Sequence, residues 1–401
     1  MRLRLKTGAI GNAQYDKVLS ALLFLYCAAM PFEEALAFSF GGILKIIGFL
    51  VIGWCLLAHY KTRIRLRKLF FVLPFFWWFM FSLLSVAWSK DHTWWWYFIK
   101  TYASQIILLM TIVSYRQFVN LEHLKNGVVT GAVIAAAVLI VMPMASTLTE
   151  DGRRTMIVFG NELDPNILAA VMMVALIITV ERIIQKRSGT LLIVLAAFIL
   201  LGILLTGSRG GLIATAVGGV TYLVINVKNG KIRNKVMLLT LAAVIAVAIV
   251  VALLPDQLIS SRFSWKSLFG FDEYESGAHN RWTIWKYALP LSLNAPIVGY
   301  GCGGFFYAIA TVYRQTASHN LYILLLIEGG LVGLSLFVAG LLRIFRSACK
   351  HKNHAMIALL MSVGVMSLTL DAISTKFFWM ALIIATLTLG DPNELPKPQV
   401  E

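Results

Sequence analysis

The chain has 401 residues, 59% of them apolar and 13% charged, with a formal net charge of +16. An apolar share above the roughly one half of soluble domains excludes an ordinary water-soluble globule and points to a membrane protein. The four cysteines (Cys27, Cys55, Cys302 and Cys349) form no C-x-x-C pair, which speaks against a disulfide framework or a zinc site. The positive charge follows the loops between apolar runs rather than a stripe, so no nucleic-acid partner is expected.

The first apolar run follows MRLRLKTGAIGNAQYDK, lacks a small-residue cleavage site and precedes further runs. It is therefore expected to stay as a helix rather than to leave as a signal peptide. Spans are expected at 18–34, 40–59, 69–88, 97–115, 126–145, 164–181, 190–206, 210–227, 236–254, 319–342, 355–371 and 376–390. Each can cross, or nearly cross, a bilayer core of about 30 Å at about 1.5 Å per residue. An even number of spans puts both termini on one side. The segments of that side run from Arg2, Arg4, Lys6 and Lys17 through Lys61, Arg63, Arg65, Arg67 and Lys68 to Arg343, Arg346, Lys350 and Lys352. They hold roughly two thirds of all Lys and Arg, which marks that side as cytoplasmic. The expected fold is an all-α polytopic membrane protein of about twelve transmembrane helices, in one domain over 1–401.

Two external loops remain, 146–163 and the longer 255–318. In the longer one, HNRWTIWKYALPLSL places Trp282, Trp285 and Leu289 at i, i+3 and i+7, the apolar face of a short amphipathic helix that Pro290 kinks or ends. Tryptophans there suit a bilayer interface.

Cations outside the cytoplasmic loops oppose both topology and desolvation cost, so each needs a reason. Arg209 lies in LLTGSRGGLIA, between two apolar runs with almost no loop, and Gly207, Gly210 and Gly211 allow a sharp reversal and close backbone approach. The spacing matches neither a Walker loop nor a dinucleotide fingerprint. Arg281 opens the amphipathic helix, and Arg153 and Arg154 in EDGRRTM could simply pair with Glu150 and Asp151. His319 stands at an external helix start, where the helix dipole favours the neutral imidazole a general base requires. Asn320 could cap or orient it. Glu328, nine residues on, falls about 180° around the helix and roughly 13 Å deeper, which makes it a buried hydrogen-bonding or packing group beside Gly329, Gly330 and Gly333. No D-x-D, H-E-x-x-H or G-x-S-x-G motif occurs, so neither a metal nor a serine nucleophile is called for.

TGSRGG (206–211), RWTIWKYALPLSLNAPIVGYGCGGF (281–305) and SHNLYILLLIEGGLVGLSLF (318–337) together resemble the O-antigen ligase and O-antigen polymerase superfamily, in order, spacing and topology. The segment GNELDPNILA (160–169) is also similar to a loop of many members. The resemblance implies a GT-C-like membrane glycosyltransferase in the bacterial inner membrane, with its active site on the periplasmic side and no cofactor. Its donor would be a glycan on undecaprenyl diphosphate. Its acceptor would be lipid A-core for a ligase or a second lipid-linked glycan for a polymerase, and the ligase is the favoured label. In that chemistry Arg209 and Arg281 hold the departing diphosphate, as paired guanidiniums can, and His319 takes the acceptor proton. Asn320, Glu328, Arg153 and Arg154 would be supporting residues, and no metal is needed.

A secondary transporter is the competing class. Transporter sites cluster at the bilayer midplane and come with internal repeats, whereas these polar residues gather at the external surface and no repeat is evident. A protein that merely binds a lipid diphosphate is the other alternative.

Overall fold

A computed structural model describes residues 16–40, 42–62, 71–141, 146–148, 154–158, 161–185, 190–226, 230 and 281–389. The expected span at 236–254, the first part of the long loop, and Arg153 with its expected acidic partners lie outside the described residues. The chain enters with α1 (Lys17–Ala29), a 3₁₀ turn, α2 (Glu33–Phe40) and α3 (Ile43–Thr62), followed by α4 (Leu73–Leu84), α5 (His92–Ser114) and α6 (Leu121–Val141). After a small sheet come α7 (Pro165–Ile184), α8 (Thr190–Leu205) and α9 (Arg209–Ile225). The C-terminal part holds α10 (Arg281–Leu291), α11 (Gly304–Ala310), α12 (Leu321–Lys350), α13 (His354–Met366) and α14 (Lys376–Leu389). Six helices among the described residues are long and apolar enough to cross a membrane, and the shorter apolar helices Leu73–Ala87, Thr190–Leu205, Arg209–Ile225, His354–Met366 and Lys376–Leu389 lie where other spans are expected.

The helix starts follow from residues that satisfy free amides. Asp91 accepts from the Thr93 and Trp94 N–H groups, Asp164 from Asn166 ahead of Pro165, Ser208 from Gly211, and Asn320 from Tyr322 and Ile323. Small residues then set the packing, because lipid supplies no hydrophobic drive between helices. Gly127 and Gly131, four apart on α6, lie directly against the α1 backbone at Phe24 and Ala28. Lys125 pairs with Glu181 at 2.8 Å, and Arg182 pairs with Glu122 at 3.1 Å. Both ion pairs tie the start of α6 to the end of α7, at the end of the bundle that carries the basic loops.

Two expectations need correction. The fold is not purely α: 146–163 contains a three-stranded antiparallel sheet, β1 (Ser146–Leu148), β2 (Arg154–Val158) and β3 (Asn161–Glu162). Its strands are rich in β-branched residues, and it closes onto the start of α7, where the Thr155 hydroxyl donates to the Leu163 carbonyl and the Leu163 N–H to Met156. The amphipathic helix α10 buries Ile284, Ala288 and Leu291 and leaves Trp282 and Leu289 exposed, the side that the sequence assigns to a bilayer interface.

The second correction concerns the span expected at 319–342. It is a helix running to Lys350 that breaks at Gly330, where φ is +57°. A break inside a bilayer frees backbone groups that must find other partners. The NAPIVGYGCGGF loop supplies them: the Tyr300 and Gly301 N–H groups donate to the Ile327 and Glu328 carbonyls at 2.9 Å, and the Leu331 and Val332 N–H groups donate to Pro296 (2.9 Å) and Ile297 (3.1 Å). Gly299, Gly301 and Gly303 all have positive φ along this loop.

Candidate functional site

A cavity of about 910 Å³ lies at the end of the bundle opposite the basic loops, among the starts of α2, α3, α5, α7, α12 and α14. His319 and Asp371 line it. Asp371 lies in the turn between α13 and α14 and organises the S-H-N stretch. The buried Ser318 hydroxyl hydrogen-bonds its carboxylate, which also accepts the His319 N–H at 3.2 Å and the Asn320 N–H at 3.1 Å. Asn320 in turn caps α12 at 3.0 and 3.1 Å. His319 therefore precedes the cap and is not in the first helical turn as expected. Its φ of +50° is a left-handed conformation that costs a non-glycine residue about 1 kcal/mol or more, and the three bonds to Asp371 hold it there.

Arg281 and Arg209 begin helices anchored to the same frame from two sides. Arg281 is half-buried at the first position of α10, and one turn later the Trp285 Nε1–H donates to the Ser318 carbonyl at 3.0 Å. Arg209 is half-buried at the first position of α9, beyond a turn whose Gly207 has φ +60°. A Cβ on Gly210 would overlap the Thr369 hydroxyl, and one on Gly211 would come 2.7 Å from Ala169 Cβ, so the SRGG turn lies tight against α7 and the Ser367–Asp371 turn. The Leu321 N–H donates to Ser367 of that turn at 2.9 Å.

GNELDPN joins the same frame. The Ser208 hydroxyl donates to Asn166 Oδ1 at 2.9 Å, Asn166 Nδ2 donates to Asp164 at 2.9 Å, and the Asp164 N–H donates to Glu34 at 2.8 Å. Arg154 opens β2. Glu328 is buried, with the Gly303 and Phe305 amides serving its carboxyl, while its Oε1 finds no hydrogen-bond partner among the described residues. Burial, then the nearby Glu328, raises the Cys302 thiol well above its usual range, which keeps it protonated and inert as a nucleophile.

Sequence reasoning missed several of these groups. Asp371 was legible as an acid at the outer edge of an apolar run, in LTLDAISTK. So was Lys376, buried and ion-paired with Glu33 at the cavity. Trp94, Tyr97, Phe98, Thr101, Ser104 and Gln105 all line the cavity and recur at helical spacing on one face of α5. The polar members of that stripe, inside a span, were the available signal.

Replacing Asp371 by Ala should strand the His319 amide, at about 1–3 kcal/mol, and loosen the left-handed turn, while the Ser318 hydroxyl keeps its bond to the Asn320 carbonyl and the Asn320 N–H keeps its bond to the Ser318 hydroxyl. Thermal stability should drop, with Asp371→Asn intermediate. A wild-type melting temperature of Asp371→Ala would refute the clamp.

Residues 191–338 match the family model described as O-antigen ligase. The matched stretch contains TGSRGG, the 281–305 motif and the S-H-N stretch, so the resemblance to that family is shown. Members of the family are membrane glycosyltransferase-like ligases or polymerases. No curated protein matches the chain.

Proposed function

We propose, with the O-antigen ligase family of residues 191–338 as the premise, that this protein is an inverting glycosyltransferase of the ligase type. It moves a glycan from undecaprenyl diphosphate to a sugar hydroxyl of lipid A-core, at the periplasmic face of the bacterial inner membrane. The chain is then a single GT-C-like membrane domain of about twelve spans, with both termini cytoplasmic and 255–318 as its large external loop. Polymerisation onto a second lipid-linked glycan is the alternative.

The observation that carries this reading is the convergence of three distant motifs on one turn. The helices that start at Arg209 and Arg281 and the S-H-N stretch all anchor to one another or to Ser367–Asp371. In the reaction His319 accepts the proton of the acceptor hydroxyl. The oxygen attacks the anomeric carbon opposite the diphosphate, a new glycosidic C–O bond forms, and the bond from that carbon to the phosphate oxygen breaks. Arg209 and Arg281 stabilise the charge that develops on the leaving diphosphate, a role guanidinium forks fill without a metal ion.

Reconstitution of the purified protein with a lipid-linked glycan and alternative acceptors tests this, since a ligase makes one adduct and a polymerase a ladder. Arg209→Lys should lower transfer at least tenfold despite the conserved charge, because a point ammonium cannot make the bidentate contact. Chelators should leave the rate unchanged. Full activity of Arg209→Lys, or chelator-sensitive transfer, would remove the arginine mechanism.

A further inference from the structure

Among the described residues, the cavity that holds His319 has a wall unlike a phosphate site. Trp94, Phe98 and Phe306 line it as three nearly parallel rings, with Trp94 and Phe306 stacked at 4.4 Å and 13° and Phe98 within 6 Å of both. Around them stand the carboxylates of Glu33, Glu34, Glu162, Asp164 and Asp371, against the ammonium groups of Lys45 and Lys376, the latter already paired with Glu33. The faces the rings turn to one another are covered by the stack, so the apolar surface left for the C–H face of a pyranose is that of its outer faces and edges. Carboxylates accept hydrogen bonds from sugar hydroxyls but repel a phosphate. The volume of about 910 Å³ falls within the roughly 300–1,000 Å³ range of ligand pockets.

We propose that this cavity is the acceptor subsite and that it selects a sugar end carrying no phosphate. A terminal pyranose packs against the Trp94–Phe306–Phe98 rings, its hydroxyls donate to Glu34 and Glu162, and the hydroxyl that reacts is presented to His319. The subsite rests on the reading of His319 as the general base. It divides the substrates by charge: the anionic diphosphate belongs with the arginines that start α9 and α10, and the uncharged acceptor end belongs with the aromatic, acidic wall. An acceptor phosphorylated at its reacting end is disfavoured.

The test uses the full chain in lipid nanodiscs, with a lipid-linked glycan donor and two acceptors, a neutral oligosaccharide and the same oligosaccharide phosphorylated on its terminal residue. Wild type should prefer the neutral acceptor. Trp94→Leu should raise the acceptor KM about tenfold with the donor KM unchanged, and Trp94→Phe should retain most of the affinity. Glu162→Lys should shrink the preference for the neutral acceptor. A preference for the phosphorylated acceptor, or a Trp94→Leu effect confined to the donor KM, overturns the proposal. Phe306→Leu is the second variant if Trp94→Leu fails to fold. Saturation-transfer NMR with the free neutral oligosaccharide gives a readout that needs no turnover: signal on wild type that is lost on Trp94→Leu supports the subsite, and equal signal refutes it. Lack of transfer by wild type would sink the glycosyltransferase reading and full transfer by His319→Ala the general-base assignment, whereas an inactive His319→Ala with unchanged Trp94→Leu kinetics would sink only the subsite.

Discussion

His319→Ala should lower glycan transfer by about 10²- to 10⁴-fold, the usual contribution of a positioned general base, while the protein accumulates normally and still retains lipid-linked donor. The structure explains why activity and folding should separate here. The contact of His319 with Asp371 is made by its backbone N–H, which alanine keeps. The left-handed φ of +50° strains alanine about as much as histidine. The variant thus loses the imidazole at the cavity without losing the Ser318 and Asn320 bonds that hold the turn. A variant that ligates within a few fold of wild type would end the general-base assignment, and a pure binder or a transporter would be little affected by the change.

Gly330→Ala should have the largest effect on stability. Gly330 combines a positive φ with backbone contact: a Cβ there would overlap the Ile297 carbonyl, and one on Gly299 would overlap the Glu328 carbonyl. Relieving either overlap pushes the GYGCGG loop out of the helix break and unsettles the four backbone bonds made across it. Strain and overpacking together should cost about 3 kcal/mol or more. Gly329→Ala is the control, because its Cβ would meet only ordinary contacts, the nearest being Phe81 at 3.7 Å. A detergent thermal-shift series should show Gly330→Ala far below wild type and Gly329→Ala close to it. Equal melting of the two would mean that the loop does not depend on the break.

The apolar helices were legible because a bilayer-length apolar run has few other uses, and their starts were legible where Asp164, Ser208 or Asn320 precedes such a run. The three motifs were legible by residue type, since cations and a histidine at the edge of apolar runs are costly without a purpose. The sheet at 146–163 was missed because its short strands satisfy their backbone by pairing with one another, a long-range bond that no helical period reveals. The break in α12 was missed for a similar reason: ILLLIEGGLVGL reads as one continuous apolar helix until Pro296–Gly301 is placed beside it.

By itself, then, the sequence determined that the chain is a bundle of apolar helices with polar groups concentrated at one end, because burial cost is local and is felt residue by residue. Only the tertiary structure decided which of those groups meet. Asp371 lies 52 residues from His319 yet holds its backbone, and Asn166 reaches Ser208 across 42 residues. Trp94 stacks on Phe306 from another part of the chain. Such partners are selected by how the helices pack and where glycine lets two backbones touch, and no local pattern carries that information.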